Sequence, residues 1–292
     1  MTQVVSLTPK VSVSQLLRLS VMQQLHDIDT PRLDAELLLS KAMDISRVEL
    51  HTYPERIVNS TEFESFQNLV RRRQNGEPMA YLLGEQEFWS LKLKVTPDVL
   101  VPRPETEHLV EAALEKIEHI EEPHVLDLGT GSGAIALAIA FERPDAIILA
   151  TDQSSKALEL AMLNAERFAL PNIQFIQSNW YEKIDERRFD LIVSNPPYIA
   201  STDPHLSQGG LPFEPWLALT SGNSGTRSLE TIIFNAPEYL LPEGWLAVEH
   251  GYDQSAVVMK MFEQRGFSHM FSRKDLAGND RVFSGQYLFE QG

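Results

Sequence analysis

The sequence of 292 residues contains no cysteine. This absence excludes disulfide bonds, thiolate nucleophiles and cysteine-ligated zinc, so any metal would have to be bound by histidine and carboxylate side chains. Long apolar runs are also absent, because none approaches the roughly 20 residues that span a bilayer, and the N-terminus has no basic region followed by an apolar core. We therefore expect a cytoplasmic protein.

Positive charge is scarce as well. The chain has 25 Lys and Arg residues against 41 Asp and Glu residues, which gives a formal net charge of −16. Such a balance disfavours a protein that holds long nucleic acid by neutralising phosphates. The basic run at 71–73 is typical of a solvated helix end, where cations also suit the helix dipole. We expect no stable complex with nucleic acid.

The eight histidines do not indicate a metal site. His205 and His250 lie near the expected ends of strands, but neither forms a ligand-spaced pair with another candidate. Histidines in such positions are more often solvated or packed in a core than bound to metal. The sequence therefore predicts no metal site.

The first part of the chain, from Val11 to about Leu83, has apolar residues at helical spacing. The pattern is interrupted by proline, glycine or polar residues at 30–31, 44–46 and 75–78. It predicts a small bundle of four or five short helices.

Two other patterns follow this bundle. Between Gln86 and Val101 apolar and polar residues alternate around Ser90, which predicts a β-hairpin. From Pro104 onward, apolar strand-like segments alternate with helical segments, the pattern of a parallel sheet. The length of the chain also favours one large domain and a smaller one. We predict an N-terminal helical domain at 1–84, a hairpin linker at 85–103 and a main domain at 104–292.

The main domain contains seven predicted strands, at 124–128, 146–151, 173–177, 189–194, 245–249, 266–272 and 281–287. Five predicted helices fit among them, at 106–117, 134–142, 154–168, 229–240 and 254–264. The last two strands are joined by a connection too short for a helical crossover, so they should pair antiparallel. The predicted fold class is α/β, with a Rossmann-like, mostly parallel sheet and an antiparallel C-terminal strand.

A glycine-rich turn follows the first strand of the main domain. Gly129, Gly131 and Gly133, with Thr130 and Ser132 between them, lead directly into the next predicted helix. Glycines let the backbone bend sharply and approach a ligand, and the helix N-terminus supplies free amide donors. The turn predicts a nucleotide-like cofactor, and a purely structural tight turn is the alternative.

Three further residues bear on the cofactor. Asp152 ends the second strand, close to the roughly 20-residue interval at which a carboxylate accepts hydrogen bonds from ribose hydroxyls. Its alternative role is an N-cap for the next helix, which Ser154 can fill instead. Asp127 ends the first strand, where it can meet a cationic group. Trp180 follows the third strand, at a position that suits either an adenine or core packing.

The tetrapeptide Asn195-Pro196-Pro197-Tyr198 follows an apolar strand at its carboxyl end, where open α/β sheets bind their ligands. The two prolines keep the backbone extended and remove two amide donors, so nearby carbonyl groups are free to accept hydrogen bonds from a ligand. The structural alternative is a rigid turn from strand to loop.

The tetrapeptide suits a planar NH2 group, whose nitrogen is a poor nucleophile because its lone pair is delocalised. The Asn195 side-chain oxygen and the Pro196 carbonyl can accept the two hydrogens, and the Tyr198 ring can stack over the planar group. With a sulfonium methyl donor, the reaction is an in-line displacement in which positioning and hydrogen-bond acceptance dominate. No covalent enzyme intermediate is required.

The combination of VLDLGTGSG (125–133), Asp152 and NPPY (195–198) resembles the class I S-adenosylmethionine-dependent methyltransferases that modify amino or amide nitrogens. The chain is more specifically similar to the peptide chain release factor glutamine-N5 methyltransferases, the PrmC/HemK family. The segments that carry this likeness are GEPMAYLLGEQEFWSLKLKVTPDVLVPRPETE (76–107), SNPPYIASTDPHL (194–206), FEPWLAL (213–219), AVEHGYDQ (247–254) and AGNDRV (277–282). The resemblance therefore covers nearly the whole chain.

The resemblance implies that S-adenosyl-L-methionine is the methyl donor and S-adenosyl-L-homocysteine the product. It implies that the turn residues 129–133 line the methionine portion of the donor, Asp152 the ribose, Trp180 the adenine side and Asn195 the junction of donor and glutamine. Pro196, Pro197 and Tyr198 would complete the clamp on the substrate, with Asn195, Pro196 and Tyr198 as the catalytic residues. The segment 102–107, including Arg103 and Glu105, would lie beside the cofactor pocket.

The resemblance also implies the partner. In that family a glutamine in a Gly-Gly-Gln loop of a release factor enters the tetrapeptide pocket, and the small helical domain helps to engage the release factor. The expected function is methyl transfer to N5 of that glutamine by a monomeric enzyme.

Four alternatives remain open at this point. The substrate can instead be a glutamine of a large-subunit ribosomal protein, or adenine N6 or guanine N2 of a nucleic acid. A non-catalytic binding protein can have the same fold. A nicotinamide-dependent dehydrogenase would share the glycine turn and Asp152, but it would not explain the tetrapeptide.

Overall fold

The structure is a computed structural model that describes residues 11–288. The chain divides into two compact units, a helical unit that ends at Gly84 and a sheet unit that begins at Glu85. Within residues 11–288, no helix is both long enough and apolar enough to cross a membrane.

The helical unit contains the helices α1 (Val13–Gln23), α2 (Pro31–Met43), α3 (Arg47–Thr52), α4 (Ser60–Gln74) and α5 (Met79–Leu83). Local sequence sets where they begin. Ser12, Ser46 and Asn59 form capping boxes at the starts of α1, α3 and α4, and Pro31 occupies the first turn of α2. The predicted helices and the breaks between them are confirmed.

The basic run 71–73 lies in the last turn of α4, as predicted. Arg71 and Arg72 are exposed, as a solvated helix end predicts, whereas Arg73 is not. Arg72 donates to the Glu77 carboxylate, and Arg73 donates to Asp34 Oδ2 at 2.7 Å. Asp34 is buried, so Arg73 compensates a charge inside the helical unit and its side chain remains only 22% exposed.

The sheet unit begins with a hairpin of β1 (Glu85–Phe88) and β2 (Leu91–Lys94). The turn residues Trp89 and Ser90 both have positive φ values, which matches the twist of a two-residue hairpin turn and confirms the predicted turn. Phe88, Leu91 and Leu93 are buried in a core cluster together with Val125 of the main sheet. The hairpin is therefore packed as part of the sheet unit.

The main sheet contains β3 (His124–Leu128), β4 (Ile147–Asp152), β5 (Ile173–Gln177), β6 (Phe189–Ser194), β7 (Leu240–Glu249), β8 (Phe267–Lys274) and β9 (Asp280–Tyr287). Their order across the sheet is β5-β4-β3-β6-β7-β9-β8. The pairs from β5 to β7 are parallel, and β9 pairs antiparallel with both β7 and β8. The predicted fold class is confirmed, including the antiparallel pair at the C-terminus.

The helices of the sheet unit are α6 (Glu107–Ile117), α7 (Ala134–Glu142), α8 (Ser155–Arg167), α9 (Trp216–Leu219), α10 (Arg227–Asn235) and α11 (Ser255–Gln264). The helix predicted at 229–240 was extended too far. It ends at Asn235, because Pro237 has no amide hydrogen with which to continue the helix, and Leu240 already pairs with Phe189 as the start of β7.

Alternate residues of the parallel strands enter two apolar clusters on opposite faces of the sheet. Val125 packs with residues of α6 and α7, whereas its neighbour Leu126 packs with residues of α10 and α11. The helices on both faces of the sheet hold the central strands in place. Because β3, β4, β6 and β7 are parallel, their carboxyl ends lie at one edge of the sheet, where the functional residues were predicted.

Candidate active site

A cavity of about 390 Å³ lies at the carboxyl ends of β3, β4 and β6. Its walls come from the glycine turn after β3, the end of β4, the loop after β5, the tetrapeptide after β6, the segment between β2 and α6, and α9. The central position of β3, with β4 on one side and β6 on the other, creates the crevice in which a doubly wound sheet binds ligands.

The glycine turn has a backbone that only glycine adopts readily. Gly129, Gly131 and Gly133 have φ values of 75°, 57° and 87°. A Cβ at Gly133 would lie 2.1 Å from Leu137 Cδ1, and a Cβ at Gly129 would lie 3.5 Å from the Trp180 ring. Thr130 and Ser132 also line the cavity. The turn thus leaves backbone open toward the cavity.

Asn164 of α8 holds this turn in place, and no local sequence pattern singles it out. Its Nδ2 donates to the Ser132 carbonyl at 2.9 Å, and its Oδ1 accepts from the Lys94 amide at 2.8 Å. Asn164 is completely buried, so both bonds are shielded from water. The turn is therefore tied to the hairpin through one side chain.

Asp127, at the end of β3, is completely buried. Its Oδ2 accepts a hydrogen bond from Thr130 Oγ1 at 2.6 Å, and the Ala136 amide in the first turn of α7 also faces the carboxyl group, although among the described residues no donor reaches its Oδ1 with normal hydrogen-bond geometry. Burial raises the pKa of Asp127 to about 7, against the opposing effect of the Thr130 hydrogen bond. The carboxyl group lies behind the glycine turn and outside the cavity lining, so it can act on a cationic group bound at the turn through its charge.

Asp152 lines the cavity at the end of β4. Its carboxylate accepts from the Gly131 amide at 2.9 Å and from the Ser154 amide at 2.8 Å, and burial raises its pKa. Ser154 is the N-cap of α8, since its Oγ accepts from the Ala157 amide. The helix therefore does not need Asp152 as its cap.

Trp180 lines the cavity and also packs against the core cluster that contains Leu126. Its φ of 50° is positive, which is uncommon for a large side chain and turns the ring toward the chain at Gly129. Of the two roles considered for Trp180, core packing is present in its contacts, and contact with an adenine stays a prediction.

Two members of the tetrapeptide, Asn195 and Pro197, line the cavity, whereas Pro196 and Tyr198 are not part of its lining. Asn195 Nδ2 donates to Thr106 Oγ1 at 3.0 Å. The Tyr198 carbonyl accepts from Gln254 Nε2 at 3.0 Å, which anchors the end of the tetrapeptide to the loop before α11. The tetrapeptide is thus fixed at both ends.

The ends of the tetrapeptide are connected by Thr106, which was predicted only as part of the segment beside the cofactor pocket, and by Glu249, which sequence reasoning missed. Thr106 Oγ1 donates to Glu249 Oε2 at 2.7 Å, and Tyr198 OH donates to Glu249 Oε1 at 3.2 Å. Glu249 ends β7 and is 1% exposed. Burial raises its pKa to about 7 and raises the pKa of Tyr198 as well. An acidic residue at the carboxyl end of a central strand was the available signal for Glu249.

The segment 102–107 borders the cavity through Pro102, Arg103 and Thr106, but Glu105 does not line it. Arg103 donates to Glu214 Oε1, and the Val101 amide donates to Glu214 Oε2 at 3.1 Å. The Glu214 side chain is buried and lies just before α9 in sequence. This ion pair joins two walls of the cavity.

The histidines near the strand ends make local contacts. His205 is exposed and bonds to Asp203, and His250 is buried with its Nδ1 2.8 Å from the Gly251 carbonyl. Among residues 11–288, no group of three or more metal-ligating side chains is arranged to hold an ion.

Two domain families each match a part of this chain. Residues 17–84 match the PrmC N-terminal domain, and residues 106–208 match the methyltransferase small domain. A methyltransferase structure from Pyrococcus furiosus shares 19% identity with a TM-score of 0.51, and the match covers 76% of this chain and 100% of that one. At this identity the structural likeness supports the fold alone.

Relatives match over most of their own length. The release factor glutamine methyltransferase of Xylella fastidiosa (strain Temecula1) is 50% identical over 255 residues, which is 87% of this chain and 93% of the relative. That of Aliivibrio fischeri is 45% identical over 282 residues, which is 96% of this chain and 99% of the relative. With this identity and coverage, the chain belongs to the release factor glutamine methyltransferase family.

Proposed function

We propose that this protein transfers the methyl group of S-adenosyl-L-methionine to the side-chain amide nitrogen, N5, of the glutamine in the Gly-Gly-Gln motif of peptide chain release factors. One observation carries this proposal. Asn195 lines the cavity, and its Nδ2 donates a hydrogen bond to Thr106 Oγ1. This bond leaves Asn195 Oδ1 as an acceptor for a planar NH2 group. The names of the relatives agree with a glutamine of a release factor as the substrate.

The cavity fits S-adenosyl-L-methionine by two observations. The positive φ values of the glycine turn and the crowding at Gly133 require a backbone without side chains at this edge of the sheet. Asp127 lies behind this turn and is not part of the cavity lining, but the negative charge of its ionised carboxylate suits a cationic group bound at the turn. When bound, S-adenosyl-L-methionine supplies an electrophilic methyl group on its sulfonium, and S-adenosyl-L-homocysteine is the product.

We assign the donor contacts to residues that line this cavity. The turn residues Gly129, Thr130, Gly131, Ser132 and Gly133 would hold the methionine portion. Asp152 would accept hydrogen bonds from the ribose hydroxyls, because its ionised carboxylate has acceptor capacity beyond the bonds from Gly131 and Ser154. Trp180 would cover the adenine side, and Asn195 would lie at the junction of donor and substrate.

The tetrapeptide would orient the glutamine amide for reaction. Asn195 Oδ1 and the Pro196 carbonyl would accept its two N–H hydrogens, which directs the nitrogen lone pair and increases electron density on the nitrogen. Pro197 and the Tyr198 ring would complete the surface against the planar group. The two acceptors stabilise the positive charge that develops on the nitrogen, and the methylated nitrogen, which is a strong acid while it is positively charged, then loses one proton to water without a strong base.

The remaining assignments rest on the same proposal. We assign residues 1–84 to engagement of the release factor, 85–103 to a hairpin linker and 104–292 to methyl transfer. A release factor as substrate implies a cytoplasmic reaction, and we propose that the enzyme acts as a monomer. The net charge of −16 disfavours the alternative of a nucleic-acid substrate.

The proposed substrate can be tested by transfer of labelled methyl from S-adenosyl-L-methionine. Purified release factor, large-subunit ribosomal protein and nucleic acid are offered separately, and the modified residue is located by mass spectrometry. A release factor with Gly-Gly-Ala in place of Gly-Gly-Gln is the matched control. We expect label on the Gly-Gly-Gln glutamine and none on the control. Label only on ribosomal protein or nucleic acid would contradict the proposed substrate.

A further inference from the structure

Three residues, Asn195, Thr106 and Glu249, form a chain of hydrogen bonds that runs from the cavity wall into the protein, which we call the hydroxyl relay. Thr106 Oγ1 lies 3.0 Å from Asn195 Nδ2 and 2.7 Å from Glu249 Oε2. Thr106 is 3% exposed and Glu249 is 1% exposed, so water does not compete for these bonds. Asn195 and Thr106 both line the cavity, with Asn195 the more accessible of the two, and Glu249 lies behind them.

The direction of each hydrogen bond in the relay follows from the charge of Glu249. An ionised carboxylate only accepts, so the single hydroxyl hydrogen of Thr106 must point at Glu249. The Thr106 oxygen then has only lone pairs to offer Asn195, and the Asn195 amide must turn its NH2 group toward Thr106. This orientation leaves Oδ1, the acceptor needed by the substrate amide, on the other side of the amide group.

A proton on Glu249 reverses this order. A protonated carboxyl donates its hydrogen to Thr106 Oγ1, and the Thr106 hydrogen becomes free to point at Asn195. The favourable arrangement then has Asn195 Oδ1 toward Thr106 and its NH2 group away from it. Two NH2 groups cannot bond to each other through their hydrogens, so a flipped Asn195 would repel the glutamine amide.

We propose that Glu249 is a positioning residue of the reaction, which in its ionised form acts through the Thr106 hydroxyl to hold the Asn195 amide in the orientation that accepts the substrate. This inference rests on the proposed function and adds a regulatory feature to the same site. Methyl transfer then depends on a residue that touches neither donor nor substrate. Lowering the pH inactivates the enzyme by flipping Asn195.

The charged and polar groups that face Glu249 place the gain or loss of its proton near neutral pH. Burial raises its pKa to about 7, opposed by the hydrogen bonds from Thr106 and Tyr198 and by the positive charge of Arg281 on β9. Glu105, before α6, raises the pKa through its negative charge. Arg281 is itself bound to Asp275 at 2.9 Å, which weakens its effect on Glu249. The next residue, His250, is buried, and burial lowers its pKa, so it remains neutral near pH 7.

The first test compares turnover of variants at saturating donor and release factor. Thr106→Val keeps the shape of the side chain without the hydroxyl, and we expect kcat to fall roughly 10- to 100-fold because the Asn195 amide is no longer oriented. Thr106→Ser keeps the hydroxyl and is expected to retain most of the turnover. Equal kcat values for the two variants would overturn the proposal.

The pH profile of kcat supplies a readout that a purely structural role would not affect. We expect wild-type kcat to rise from about pH 6 to about pH 8, and Glu249→Gln, which cannot ionise, to lack this rise. Saturating donor separates this effect from the titration of Asp127 near the cofactor turn. A rise of the same size in Glu249→Gln would contradict the assignment of the titration to Glu249.

A third measurement does not require methyl transfer. In protein labelled with ¹⁵N-asparagine, the side-chain NH2 resonance of Asn195, assigned by its loss in Asn195→Ala, should change with pH with a midpoint near that of Glu249. The change should be absent in Glu249→Gln. A pH-independent resonance in the wild type would overturn the relay. If the resonance titrates but no release factor is methylated, the proposed function fails and the relay stands.

Discussion

Two carboxyl groups, Asp127 and Glu249, are buried at the edge of the sheet that carries the candidate site. Each accepts a hydrogen bond from a threonine, Thr130 or Thr106, and burial raises the pKa of each to about 7. Burial without a full ion pair destabilises the charged form, because the lost hydration is only partly replaced. Single residues of the site thus reduce the stability of the fold at the pH where the site is expected to work.

The sign of this effect on stability follows from proton binding. Between about pH 4.5 and about pH 7 the folded protein binds more protons at Glu249 than the unfolded chain does, so this group makes the free energy of unfolding fall as pH rises. The full effect of one such group is on the order of 3 kcal/mol above pH 7. We expect Glu249→Gln to gain stability relative to wild type as pH rises through this window.

Urea unfolding at several pH values, followed by circular dichroism, measures this difference. Glu243→Gln is the matched control, since Glu243 lies on the same strand with its side chain exposed. The control should show a difference from wild type that does not vary with pH. A constant difference for Glu249→Gln as well would show that the buried carboxyl does not titrate in this range.

The element that most directly shapes the cofactor site is the junction of the glycine turn and α7. Helix α7 is apolar on all sides, with Ala134 to Ala140 all buried, and it begins at Gly133 without a side-chain cap or an acidic residue in its first turn. The amide groups of Ala134 and Ile135, which both line the cavity, therefore remain available to a ligand. Its packing against α8 is close, because a Cβ at Gly133 would lie 3.2 Å from Ala161 Cβ.

Alanine at two glycines of this turn separates backbone strain from crowding. At Gly131, φ is 57° and no atom lies within 4 Å of a new Cβ. We therefore expect Gly131→Ala to lower the free energy of unfolding by about 1 kcal/mol, from backbone strain alone. Gly133→Ala has a similar strain and also meets Leu137 and Ala161, so it should lose roughly 2–4 kcal/mol. Equal unfolding midpoints in urea would contradict the crowding at Gly133.

Elements with a strong local pattern were predicted well from the sequence. The strands β3, β5 and β6 and the helix α7 have the predicted bounds, since each is a short apolar segment between clear turn signals. Two elements were not recognised correctly. The four-residue helix α9 is too short to show a period, and the end of α10 depends on Pro237 and on the pairing of Leu240 with Phe189 across the sheet.

At the scale of the whole molecule, the candidate site combines contiguous motifs with contacts that no local pattern contains. The glycine turn and the tetrapeptide could be read directly, because each is one short segment at the end of a predicted strand. The relay joins Thr106 to residues 89 and 143 positions away in sequence, and the Arg103–Glu214 pair spans 111 positions. These hydrogen-bond and ion-pair partners cannot be predicted from local sequence, because they meet only when the fold brings the carboxyl ends of β6 and β7 together.

The measurement that tests the account most directly is the turnover of Asn195→Ala with release factor, together with the affinity of the variant for S-adenosyl-L-methionine by calorimetry. We expect kcat to fall by roughly 100-fold or more, because an acceptor for the reacting amide is lost, while donor affinity changes by less than about tenfold. Asn223→Ala, at an exposed asparagine outside the cavity lining, is the control and should keep both values. Turnover of Asn195→Ala equal to that of the wild type would contradict the central claim that Asn195 orients the glutamine for methyl transfer.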